Sequence, residues 1–141
     1  MLRDQQISES QAGASATADR PLRIALLSYR SKAHSGGQGI YVRHLSRELA
    51  ALGHHVEVIS GPPYPELDEG PSLTKVPSLD LYREPDPFRV PKLREFRSPI
   101  DVYEFLSVCT GSFPEPLTFS LRARRLLENR PAAERPDIVH D

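Results

Sequence analysis

The stretch Leu22–Ser60 leaves few options for what this chain folds into. It reads LRIALLSY, RSKAHSGGQG, IYVRHLSRELAALG and HHVEVIS in succession. That order predicts a strand, a glycine-rich loop, a helix and a second strand. Arg23–Tyr29 is almost continuously apolar, as a central parallel strand covered on both faces requires. From about Ile40 to Leu52, the residues Val42, Leu45, Leu49 and Leu52 recur at helical spacing, which predicts one buried stripe with Arg43, Arg47 and Glu48 off it. Gly53 follows as a stop. A strand at Val56–Ser60, closed by Gly61-Pro62-Pro63, completes a βαβ unit with parallel pairing and a right-handed crossover. The expected class is α/β, a Rossmann-like parallel sheet with flanking helices.

The middle of the chain differs in texture. Of its 14 prolines, 11 lie between Pro62 and Pro116. Proline removes a backbone donor and disfavours helix in the residue before it. Pro62–Arg97 is therefore expected to be mostly loop, with a short strand at Leu73–Val76. A connection this long points to a functional or partner-binding role. Pro99–Cys109 reads as a helix, and Pro116–Arg130 as a stronger one. In the latter Phe119, Ala123 and Leu126/Leu127 share a face, with Arg122 and Arg125 off it. Asp137–His140 reads as a further strand, pairing beside the first.

Composition narrows the function. The 141 residues suit one domain of ordinary size, and 18 basic against 19 acidic residues argue against a nucleic-acid binder. A single cysteine, Cys109, excludes an internal disulfide and a cysteine zinc site; its apolar neighbours Leu106 and Val108 predict burial. No apolar run approaches the roughly 18–20 residues that span a bilayer. The expected setting is cytoplasmic, with a membrane-peripheral location as its variant. Residues 1–20 are polar and alanine-rich, without the pattern of a secretory signal, and read as a disordered tail. At the other end the chain stops on a core-type strand, which would leave an apolar edge open; truncation is the expectation.

The glycine loop carries the chemistry. Ser35-Gly36-Gly37-Gln38-Gly39 stands where a helix begins, so backbone N–H groups and the helix dipole favour an anion there. A P-loop would need Gly-Lys, which is absent. A dinucleotide fingerprint would need a third glycine where Val42 stands, a turn closer to Tyr29, and an acid where Ser60 and Gly61 end the second strand. Both motifs fail, which disfavours an NAD(P)-dependent oxidoreductase.

A longer loop with Gly-Gly at the helix start remains. With LRIALLSYRSKAHSGGQGIYVRHLSRELAALGHHVEVIS and RPDIVHD, the chain resembles the retaining family 4 glycosyltransferases of GT-B fold, most closely actinobacterial-type members, which carry stretches like SLDLYREPDPF and GSFPEPLTFSLRA. The resemblance covers about residues 22–141. It implies two Rossmann-like domains facing across a cleft, of which residues 21–141 are the N-terminal, acceptor-side one, incomplete at its C-terminus. It implies a hexosyl transfer from a nucleotide sugar (UDP-, GDP- or ADP-linked) to an acceptor that these residues do not spell out. No cofactor or obligatory metal is implied, and no nucleic acid.

By the same resemblance Gly36 and Gly37 lie against the donor diphosphate, and Gln38 and Gly39 continue the turn into the helix. His140 matches a histidine that faces the cleft near the transferred sugar and is the catalytic candidate. Position supports it, because ligands of open α/β sheets bind beyond the carboxyl ends of strands. A histidine merely hydrogen-bonded at the sheet edge is the equal alternative. A loop that only connects strand to helix is the alternative for the glycines. Lys32 and His34 are within reach of phosphate or acceptor, but read first as solvated loop residues. Arg122, Arg124, Arg125 and Arg130 read as a solvated helix face offset by Glu128 and Glu134, or else as a peripheral membrane contact. The base and ribose contacts and the Glu-x7-Glu pattern of a second domain are absent, so this chain alone is expected to be inactive. The runner-up function is a stand-alone Rossmann-like binding module whose partner surface is the proline-rich middle.

Overall fold

The computed structural model describes residues 20–31, 37–81 and 89–141. In chain order they form β1 (Arg23–Ser28), α1 (Gly37–Ala51), β2 (His55–Ser60), β3 (Ser72–Lys75), α2 (Pro99–Cys109), α3 (Glu115–Glu128) and β4 (Ile138–His140). Single 3-10 turns at Leu93–Glu95 and Ala132–Glu134 interrupt the connections before α2 and β4. The expected tail lies outside the described residues except for Arg20, whose guanidinium meets Asp137 at 2.9 Å.

All four strands are parallel, in the order β3-β2-β1-β4. β1 is central, and its side chains alternate between two cores. Ile24 and Leu26 pack with Val56, Val58 and Val42 of α1 on one face. Ala25 packs on the other with Ile59, Val76 and the α3 residues Phe119 and Ala123. The unbroken apolar run of β1 therefore serves a sheet covered by α1 on one side and α3 on the other. The expected face of α3 is the one that packs, with Leu126 and Leu127 behind Phe119 and Ala123.

Each helix ends for a local reason. At the end of α1, His54 N–H donates to Leu49 O at 3.3 Å and Gly53 N–H to Ala50 O at 2.9 Å. Gly53 sits at φ +90°, the left-handed conformation that this paired closure needs. Pro99 opens α2, Ser98 Oγ accepts from Asp101 N–H, and the Asp101 carboxylate accepts from Ser98 N–H at 2.8 Å and Arg97 N–H at 2.9 Å. This reciprocal cap satisfies donors that no helical carbonyl can reach.

Two burial expectations are corrected. Leu52 is 73% exposed, because the buried line of α1 runs through Gly39, Val42 and Ser46 and Leu52 falls one residue past the helix end, where the chain turns away. Leu45 and Leu49 still pack against that core. Cys109 is exposed rather than buried, since α2 turns inward with Ile100, Asp101 and Glu104 and ends at Cys109.

Of the arginines expected on a solvated or membrane-facing surface, Arg124 and Arg125 are exposed, whereas Arg122 and Arg130 are corrected. Arg122 is turned inward, its Nη2 at 2.6 Å from both Asp101 and Glu104. Arg130 makes a two-pronged contact with Glu57 on β2, at 2.6 Å on each arm. That bond, ahead of the opposing effect of burial, holds the Glu57 carboxyl below its ordinary value. Arg124 pairs with Glu128 along the helix at 2.7 Å.

Candidate functional site

The strands end, at their carboxyl side, on Ser28, Ser60, Lys75 and His140. Beneath this end lies a closed floor. Ser28, Ser31 and Ser60 are fully buried, and the hydroxyls of Ser28 and Ser31 bond to each other. Gly61 N–H donates to Ser28 O at 3.0 Å, and Ser31 N–H to Pro63 O at 3.0 Å. The turn leaving β1 is thus tied to the turn leaving β2. Where β1 hands the chain to the glycine loop, it is anchored at Ser31.

Gly61 makes this close approach possible. A Cβ built on it would stand 2.5 Å from the Tyr29 carbonyl oxygen and 3.4 Å from the Phe119 ring. The carbonyl is backbone and cannot swing away. Gly61→Ala is expected to cost about 2–3 kcal/mol, the upper range for overpacking, read as a lower midpoint in chemical denaturation.

Of the predicted donor residues, Gly36 lies outside the described residues, as do Lys32 and His34. Gly37, Gln38 and Gly39 form the first turn of α1, with Gly37 and Gln38 exposed and Gly39 buried. No acidic residue occupies that turn, so no carboxylate of α1 itself competes for its amides. Space is open at Gly37, where an added Cβ meets nothing within 4 Å.

His140 pairs in register with Leu26 at the end of β4 and is exposed. Its Nε2 lies 3.4 Å from the hydroxyl of Tyr41. Tyr41 stands one turn into α1, so the contact brings the start of α1 and the end of β4 to one side of the sheet. β4 is fixed at its own start, where the Asp137 carboxylate accepts from Arg23 N–H at 2.9 Å. That bond, ahead of burial acting the other way, keeps the Asp137 carboxyl below its usual value.

Further charged groups underlie the carboxyl ends of β1 to β3. Arg30 reaches Glu115 at 3.4 Å, and burial raises the Glu115 carboxyl above its ordinary value despite that cation. Glu115, Glu104 and Arg122 share a narrow crevice with Tyr29, Gly61 and Pro62. Arg30, Glu104 and Glu115 were not singled out from the sequence, and Arg122 was read there only as part of a basic helix face; only the glycine at a strand end hinted at close backbone approach. Among the described residues no group of three or more His, Cys, Asp or Glu side chains is placed to hold a metal ion, and no helix is long and apolar enough to cross a membrane.

Residues 36–141 match the family described as Glycosyl transferase 4-like domain. An MMP alpha-(1->4)-mannosyltransferase of Mycolicibacterium hassiacum is 66% identical over 121 residues, which is 85% of this chain and 29% of that relative. The chain therefore spans less than a third of the length of the curated relative it matches.

Proposed function

Because the chain belongs to the glycosyl transferase 4-like family, we propose that it forms the N-terminal, acceptor-side part of a glycosyltransferase that moves a hexosyl group from a nucleotide sugar to an acceptor hydroxyl. The observation that carries this reading is the meeting of Tyr41 and His140, which gathers the glycine turn and the histidine at the carboxyl end of the sheet. That end is where open α/β sheets bind their ligands.

Transfer needs a stabilised leaving diphosphate, an oriented sugar and an acceptor hydroxyl beside the anomeric carbon. The first-turn amides of α1, from Gly37 onward, supply donors and a positive dipole end for the diphosphate. Gly37 keeps a side chain out of its way, and Gln38 and Gly39 continue the turn into the helix. With the tautomer in which Tyr41 donates to His140 Nε2, the proton stands on Nδ1 and is free for a hydroxyl of the sugar. The remaining diphosphate and base contacts come from a facing domain, as in the two-domain arrangement that the sequence resembles. Three of the four arginines offered as a membrane contact are engaged with acids, so the reading includes no membrane surface.

The test is release of nucleoside diphosphate from UDP-, GDP- and ADP-linked hexoses, mannose first in view of the similar mannosyltransferase. The full gene product should consume one of these donors, and the isolated 141-residue chain none; efficient turnover by the isolated chain would overturn the need for a facing domain. Gly37→Ala separates site from scaffold. The position is open and helical, so alanine leaves thermal stability unchanged or slightly raised. Its methyl stands where the diphosphate must approach, and the donor KM should rise by about tenfold, roughly 1.4 kcal/mol of lost contact.

A further inference from the structure

Beyond the end of β3, the segment leaving that strand, the start of α2 and the middle of α3 line an open cavity of about 520 Å3. Ligand sites for small organic molecules run from roughly 300 to 1,000 Å3. Its wall is apolar at Val76, Ile100 and Leu126, and cationic at Arg97, Arg122 and Arg125. The acids beside it are already committed. Asp101 accepts from Arg122 and from the Arg97 and Ser98 N–H groups, and Glu95 holds Arg89 at 2.6 Å. Apart from Arg122 Nη2, which holds Asp101 and Glu104, the guanidinium donors are not. Arg122 Nη1 is buried without a hydrogen-bond partner. Arg97 and Arg125 make no ion pair with any described residue.

A buried donor without an acceptor is costly, and more so when the group is charged. Guanidinium groups match the paired oxygens of a carboxylate or phosphate, and close apolar walls strengthen such a bond. Charge alone would suit a free inorganic ion, but the apolar wall requires a ligand with an apolar body. We infer that this cavity is a binding site for a small oxyanion, carboxylate or phosphate monoester, carried on an apolar or aromatic body.

The site is separate from the proposed donor site. β3 and β4 are the opposite edges of the sheet, three strand spacings or about 14 Å apart. Neither the glycine turn nor His140 lines the cavity. The inference therefore does not rest on the transferase reading.

Titration of the purified full gene product with phenyl phosphate, benzoate, inorganic phosphate and benzyl alcohol tests it. Phenyl phosphate or benzoate should bind saturably, at least about tenfold more tightly than both inorganic phosphate and benzyl alcohol, a gap of about 1.4 kcal/mol. The methyl NMR signals of Val76, Ile100 and Leu126 should shift with occupancy. The double variant Arg97→Gln/Arg125→Gln changes two exposed side chains, so its melting temperature should hold while affinity falls about tenfold or more. Whichever of the two aromatic anions binds more tightly identifies the head group. Absence of saturable binding, equal binding of inorganic phosphate or of benzyl alcohol, or undiminished binding by the double variant would each overturn the assignment.

Discussion

Arg122→Met should destabilise the protein by about 3–5 kcal/mol, the range seen when one member of a buried ion pair is removed. Arg122 Nη2 lies 2.6 Å from both Asp101 Oδ1 and Glu104 Oε2, with side-chain exposures of 11%, 10% and 1% for the three residues. Methionine keeps much of the apolar stem, so the loss reports charge more than packing. Glu104 is left a buried carboxylate with no cation. Asp101 keeps its backbone donors but loses a bond that helps offset its burial. Burial pushes the Asp101 carboxyl up; the Arg122 bond and the N–H groups of Arg97 and Ser98 together outweigh it and hold the carboxyl below its ordinary value. A carboxyl depressed on folding adds stability above its unfolded pKa, and that stability is lost as pH falls through the folded value. The wild type should therefore lose this contribution below about pH 4, and the variant should show a shallower loss. Urea midpoints at neutral and acid pH measure both effects. Pairing the change with Glu104→Gln removes the stranded charge and should restore a substantial part of the loss; no recovery would mean that the damage is to packing.

Sequence reading succeeded where a segment's pattern is set by what it must cover. The unbroken apolar run of β1 needs helices on both faces, and α1 and α3 supply them. Ser98-Pro99 with Asp101 is a cap written in consecutive residues, and α2 spans Pro99–Cys109 as expected. β3 begins one residue earlier than expected, at Ser72, and Val76 still donates its N–H to Ser60 O at 2.8 Å. The inward face of α2 was not legible. Periodicity finds apolar stripes, whereas this face carries Asp101 and Glu104, buried because an arginine from the next helix meets them. Leu52 and Cys109 failed for the opposite reason. Both look like core by type, and both fall at a helix end where the chain turns away.

The candidate site was legible in outline. Strand order alone brings the loop after β1 and the last residue of β4 to one end of a parallel sheet, so Gly37–Gly39 and His140 could be placed together from topology. Tyr41 could not, because its contact with His140 joins positions 99 residues apart and a tyrosine on the exposed side of a helix carries no local signal. The serine floor was equally silent. Ser28, Ser31 and Ser60 look like ordinary loop and strand-end polar residues until two turns are seen to bond across them. Glu115 and Arg30 are likewise separated in sequence and joined only by α3 folding back over the sheet.

His140→Ala should lower kcat of the full gene product by about 10²–10³, the effect of removing a donor that acts on developing charge, while the donor KM changes little. Stability should not follow. The side chain is exposed, and the register of β4 with β1 is made by backbone groups that alanine retains. The two readings of this histidine thus predict opposite outcomes. A residue that only finishes the sheet edge would give a lower melting temperature with kcat preserved. A residue that faces the sugar gives the reverse. Tyr41→Phe sharpens the distinction, because it removes the hydroxyl 3.4 Å from Nε2 and leaves the imidazole in place. If Tyr41 fixes which ring nitrogen bears the proton, the variant should lose a smaller part of kcat, about tenfold, as the imidazole divides between tautomers and orientations. Combined with His140→Ala it should then add almost nothing, since Tyr41 acts through the ring that is gone. Full additivity of the two changes would separate Tyr41 from the histidine and return it to the surface of α1.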